Sequence, residues 1–124
     1  MRVFITKWFA RFARREGIEV AKLVAVIREA ENGLNDGELG GGLIKKRIAR
    51  AGSGKRGGYR TIIVYQIRKR AVFVYGFAKS ETDNLTKAEL DEYRKLARIY
   101  LGFSDADINR ILKTGELQEI NYDG

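Results

Sequence analysis

The sequence predicts an α+β domain: a small antiparallel sheet of three to four strands, packed by an N-terminal helical hairpin and by C-terminal helices, with residues 1–124 forming one domain. Three observations predict it. Apolar residues recur at three- and four-residue spacing in two segments before residue 32 and in two more after residue 85. Between them, residues 43–79 alternate at strand spacing across short connections. That same central stretch carries eleven basic side chains and no acidic one, in a chain whose net charge is +8. A segment that is both the sheet and the positive pole is where a polyanion is expected to dock.

The elements follow in order. Arg2–Ile5 alternates apolar and polar residues and predicts a brief strand. Thr6 is placed to cap a helix over Lys7–Arg15, with Phe9, Phe12 and Ala13 on its inner face, Trp8 off that face and Gly17 as its stop. Ile18–Glu31 predicts a second helix, with Val20, Leu23, Val24, Ile27 and Ala30 as its stripe. Asn32–Gly42 holds five glycines in eleven residues and reads as a loop, either a lid near the site or a plain connector. Strands are expected over Leu43–Arg50, Tyr59–Ile67 and Ala71–Lys79, joined by a Gly-rich turn (51–58) and by a basic turn, Arg68-Lys69-Arg70. The last two strands are apolar on both faces and should be central in a meander.

Thr86 and Glu89 make a capping box, with Leu85 and Leu90 as a hydrophobic staple, ahead of a helix whose stripe is Leu90, Tyr93, Leu96, Ala97 and Tyr100. Ser104 and Asp107 repeat the device with a shorter acid, and Gly115 ends that helix. Leu117–Tyr122 is either a last strand or an ordered tail.

Composition removes several chemistries. The chain has no cysteine and no histidine, so it has no disulfide framework, no Cys/His zinc site and no Ser-His-Asp triad. No metal or other cofactor is expected, because acidic residues are missing from the central segment and Asp105 and Asp107 are explained as helix-start acids. The longest apolar run is far short of a membrane span, and the basic and aromatic first twelve residues do not read as a signal peptide. A cytoplasmic protein is expected. The Gly-rich turn is not a nucleotide P-loop: Ala49 stands where the first glycine belongs, Arg56 stands where Ser or Thr belongs, and a strand follows instead of a helix.

What remains is a sheet bearing Arg and Lys with aromatics interleaved. Such a surface suits bidentate phosphate contact. RNA carries its own nucleophile, the 2′-hydroxyl. Cleavage then needs only a proton acceptor, cations for charge growing on the phosphoryl oxygens, and a donor for the leaving oxygen. Lys, Tyr and Arg can fill these roles.

The runs Gly40-Gly41-Gly42-Leu43-Ile44-Lys45-Lys46-Arg47-Ile48-Ala49-Arg50, Gly54-Lys55-Arg56-Gly57-Gly58-Tyr59-Arg60 and Phe73-Val74-Tyr75-Gly76-Phe77-Ala78-Lys79 resemble the RelE/HigB superfamily of toxins. The resemblance covers roughly residues 1–101 and is strongest over 43–85. It implies a RelE-like fold and a toxin that blocks translation by cutting mRNA, often on the ribosome, without metal, leaving a 2′,3′-cyclic phosphate. It also implies a cognate antitoxin with a helix-turn-helix part and an acidic contact segment, and operator DNA bound only through the complex.

Carried over by position, the resemblance makes Arg60 the scissile-phosphate arginine, Lys45 and Arg47 its flanking groups, and Lys79 a stabiliser of the transition state. Lys46 stays an alternative to Lys45 and Arg47, because strand alternation cannot put all three on one face. Lys46, Arg50, Lys55, Arg56, Arg68, Lys69 and Arg70 would dock the RNA or ribosome. Tyr93 could match the family's helix tyrosine but falls on a buried stripe. Two features depart from the pattern: the site has no histidine, and an acidic extension follows Gly102, which would cover the basic sheet, contact a partner or merely add a helix. Two other readings stay open. One is a gyrase-poisoning toxin of the related ParE type; the other is a passive nucleic-acid-binding module.

Overall fold

The computed structural model describes residues 1–50, 54–80 and 84–122, with residues 54–56 described by backbone alone. The element order is β1 (Arg2–Thr6), α1 (Lys7–Glu16), α2 (Val20–Glu31), β2 (Gly37–Gly40), β3 (Leu43–Arg50), β4 (Gly54–Gln66), β5 (Arg70–Ala78), α3 (Lys87–Gly102), α4 (Asp105–Thr114) and β6 (Leu117–Ile120). The α+β class is as expected, but the sheet has six strands, in the order β2-β3-β4-β5-β1-β6, and it is mixed. β1 runs parallel to β5, and every other pairing is antiparallel. The expected meander is its β3-β4-β5 centre.

Beyond the expected β1, β3, β4 and β5, the sheet gains β2 and β6, each only four residues long. β2 lies inside the Gly-rich stretch read as a loop, and it pairs with β3 as an edge strand. β4 begins at Gly54, so part of the expected turn is strand, while residues 51–53 lie outside the described residues. β6 settles the tail as a strand on β1, from Val3↔Ile120 to Thr6↔Leu117.

Helices cover both faces. Phe9, Phe12 and Ala13 of α1 and Leu23, Val26 and Ile27 of α2 pack on Ile44, Ile48, Tyr59, Ile63 and Phe73. On the other face Ala97 of α3 and Ile108 of α4 pack on Phe4, Leu43, Ile62, Val64 and Phe77. Each fully buried side chain of this size contributes about 1.5–3 kcal/mol relative to exposure. The caps are formed as read: Thr6 Oγ1 accepts the Phe9 N–H at 3.1 Å, and both the Thr86–Glu89 and Ser104–Asp107 boxes are closed. Gly17 ends α1 in the left-handed region at φ +69°.

Two motif glycines have steric reasons. A Cβ on Gly58 would stand 2.0 Å from the Ile48 carbonyl oxygen, because β3 and β4 close tightly where their ladder slips. A Cβ on Gly76 would stand 2.6 Å from the Phe12 ring, which packs against the backbone of β5 there.

The extension after Gly102 is built into the fold. α4 buries Ile108, and β6 buries Leu117. Its Asp105 and Glu119 meet Arg2, whose Nε donates to Glu119 at 2.9 Å and whose Nη1 donates to Asp105 at 3.5 Å. Among the described residues, no helix is long and apolar enough to cross a membrane.

Candidate functional site

Strand register gathers the candidate cations. Arg47 on β3 pairs with Arg60 on β4, and Arg60 pairs with Phe77 on β5. Lys45 pairs with Ile62, whose side chain belongs to the α3/α4 face. Cross-strand partners share a face, so Lys45, Arg47 and Arg60 lie on one side of the sheet. Lys79 follows two residues after Phe77, and its N–H donates to the Gly58 carbonyl at 3.0 Å, so it sits at the same end of the sheet. All four side chains are partly exposed.

Two guanidinium groups directly opposite each other repel, by a few tenths to about 1 kcal/mol in a sheet. Asp36, just before β2, offsets this on one side. Its carboxylate accepts the Arg47 backbone N–H at 2.8 Å and the Arg47 Nε at 3.1 Å. Burial pushes the Asp36 pKa up, but the Arg47 N–H and the Lys46 and Arg47 charges outweigh this and hold it below the usual carboxylate value. Arg47 is thereby fixed in direction while staying 40% exposed.

Lys46 faces the other way and is not available to a ligand. Only 2% exposed, it places its ammonium 2.9 Å from Glu29 of α2, 3.8 Å from Asp36 and 2.5 Å from the Leu34 carbonyl. Its assignment to RNA docking is corrected: a buried ammonium held by two carboxylates ties α2 and the β2 approach to the sheet. Arg70 is corrected for the same reason. It opens β5 instead of lying in the turn, is 3% exposed, and donates to the Tyr100 and Phe103 carbonyls at 2.7 Å each, with Asp105 at 3.3 Å. It clamps the α3–α4 junction.

Arg68 and Lys69 are exposed on the β4–β5 turn. Arg68 is left-handed at φ +59°, and its N–H bonds Glu31 at the end of α2. Six residues of strand separate Arg60 from Gln66, or roughly 20 Å. The turn therefore lies at the far end of the strand from Arg60. Arg50 is exposed on the α1/α2 side, with its guanidinium 5.6 Å from the Tyr59 ring centre. Lys55 and Arg56 lie in the first part of β4, and their side chains are outside the described residues.

An aromatic group borders the cations. Trp8, 42% exposed at the start of α1, lies 4.8 Å from Tyr75, and Tyr75 stacks on Tyr93 of α3 at 5.1 Å. Burial, then Tyr75 and Glu89, pushes the Tyr93 hydroxyl up to about 12. At neutral pH it is a proton donor and not a base. Past this point the C-terminal half of α3 closes over the sheet, with Leu101 against Gly42. Arg94 holds the Leu39 carbonyl at 2.8 Å, which fastens the glycine stretch as an edge strand beside β3.

Asp36, Glu29, Trp8 and Tyr75 are not among the site residues expected from the sequence. Asp36 was legible only as a loop acid, and Trp8 only as the aromatic off its helix face. Among the described residues no three acidic side chains gather as candidate metal ligands.

No curated protein matches the chain. A family model does match, that of the RelE toxin of the RelE / RelB toxin-antitoxin system, over residues 1–120, and so takes in α4 and β6 as well as the segment carrying the three motif runs. By that match, extending over nearly the whole chain, the protein belongs to the RelE toxin family.

Proposed function

We propose that the protein inhibits translation by cutting mRNA, at the face where Arg47 and Arg60 stand opposite each other. That pairing, with Lys46 turned away into its own ion pairs, is the observation that carries the reading. The substrate 2′-oxygen attacks the adjacent phosphorus, and the bond to the 5′-oxygen breaks. The products are a 2′,3′-cyclic phosphate and a 5′-hydroxyl. Arg60, with Arg47 beside it, holds the two non-bridging oxygens as their negative charge grows. Lys45 and Lys79 flank the phosphate: one accepts the 2′-hydroxyl proton and the other returns a proton to the leaving oxygen. The stack of Trp8, Tyr75 and Tyr93 offers ring faces to a base beside the cut.

The message is cut in the cytoplasm while the ribosome reads it, and an antitoxin neutralises the basic face with an acidic segment. Operator DNA is met only through the antitoxin's helix-turn-helix part. The test is inducible expression with mapping of mRNA 5′ ends. Codon-phased cuts should appear with the wild type and vanish with Arg60→Ala, which should lower the cleavage rate about 10²–10³-fold. Growth arrest with intact mRNA and broken DNA would overturn this reading in favour of a gyrase poison. Intact growth would leave a passive binding module.

A further inference from the structure

A second cationic hollow lies on the opposite side of the sheet. It is a cavity of about 270 Å³ where the α1–α2 turn meets the end of β3, lined by Arg15, Glu16, Gly17, Lys22, Arg50 and Tyr59 among others. Three cations from three separate elements converge on it. Among the described lining residues the single carboxylate, Glu16, is already engaged by Arg15 Nε at 3.2 Å. Lys22 is held over the opening by the Ala49 carbonyl at 3.3 Å, and Arg50 lies over the Tyr59 ring. Tyr59 forms the floor, and its hydroxyl reaches the Glu16 carbonyl at 3.5 Å. Gathering like charges in one hollow is unfavourable without an anion.

The approach is basic as well. Residues 1–15 contain five basic and no acidic side chains, and Lys7, Arg11 and Arg14 are exposed along α1. The hollow is also adjacent to the candidate cleavage face. Tyr59 precedes Arg60 on β4, so one residue faces the hollow and the next faces the candidate phosphate.

We propose that this hollow binds a backbone phosphate of the same single-stranded RNA, away from the cut. The inference rests on reading the Arg47–Arg60 face as RNA-cleaving. The ligand is a phosphodiester, because Arg offers a bidentate fork and Lys a point charge, and the hollow of about 270 Å³ suits a group of that size.

The experiment measures binding of a fluorescein-labelled 2′-O-methyl oligoribonucleotide, which keeps its phosphates but has no free nucleophile, across a salt series. It compares the wild type, Arg15→Gln/Lys22→Gln, and a charge-matched control on α3, Lys95→Gln/Arg98→Gln. The pocket variant should bind about fivefold more weakly, and its log–log salt slope should fall by about 0.7, one phosphate's share for a single strand. The control should keep the wild-type slope. Equal effects in both variants, or an unchanged slope in the pocket variant, would overturn the proposal. So would a pocket variant that binds RNA normally but loses antitoxin affinity, since the hollow would then take an acidic peptide. If the double variant unfolds, Arg15→Gln alone reads the same quantity, because that side chain is two-thirds exposed. Cleavage of unmodified RNA is scored separately with Arg60→Ala, so failure of the cleavage reading is distinct from failure of the pocket.

Discussion

Asp36 touches both sides of the sheet: it fixes the direction of Arg47 and adds a second carboxylate to buried Lys46. Asp36→Asn keeps the shape but removes the charge. Under the proposed function it should lower kcat about tenfold with KM little changed, because Arg47 would keep its charge and lose its aim. Lys46→Met should destabilise the fold by about 2–4 kcal/mol, since Glu29 and Leu34 would lose their partner; the shift in urea midpoint measures it. The sign and place of the charge were legible from the run of bases without acids. Strand alternation was enough to set Lys46 apart from Lys45 and Arg47. What alternation could not show is burial. Lys46 and Arg70 look like any other base in the run, and only Glu29, Asp36 and the carbonyls of α3, all distant in sequence, reveal that their charges are spent inside the molecule. The convergence of Arg15, Lys22 and Arg50 was hidden in the same way.

The helices were readable to within two residues: α1, α3 and α4 carry side-chain caps at their starts, while α2, which has none, is marked by its apolar stripe and by Gly33 after it. Thr86→Ala should cost about 1 kcal/mol through loss of the cap on the Glu89 N–H, visible as a lower Tm. Gly76→Ala should cost about 1–3 kcal/mol, because the added methyl meets the Phe12 ring and that ring is hemmed in by Trp8, Phe9 and Tyr59. The edge strands were harder to read. β2 has two glycines among its four residues, and its place in the sheet comes from Arg94 on α3 and from Asp36, not from its own apolar pattern. β1 was legible as a strand, but its parallel partner was not, since parallel pairing leaves no turn signature between the two strands.

For the molecule as a whole, acid should unfold the protein through carboxylates that are bound to cations when folded. Asp36 and Glu119 both lie below their ordinary values, Glu119 because Arg2 bonds it. A lowered value means that the folded state binds the proton more weakly. The stability they contribute is present above their unfolded values, about 4, and is lost as pH falls through the folded ones. Urea midpoints should drop between pH 5 and pH 3, and Asp36→Asn/Glu119→Gln should flatten that drop.

The position of β1 also orders the steps of folding during synthesis. The three strands β3, β4 and β5, which carry Arg47 and Arg60 and lead into Lys79, are consecutive, so they can pair as they leave the ribosome. β1 is made first and has to wait: it pairs with β5 only once Arg70 and the residues after it are out, and with β6 only once Leu117 to Ile120 are out. A chain halted between those two points would already display its basic face, on a sheet whose apolar β1 edge is still open to any strand that reaches it.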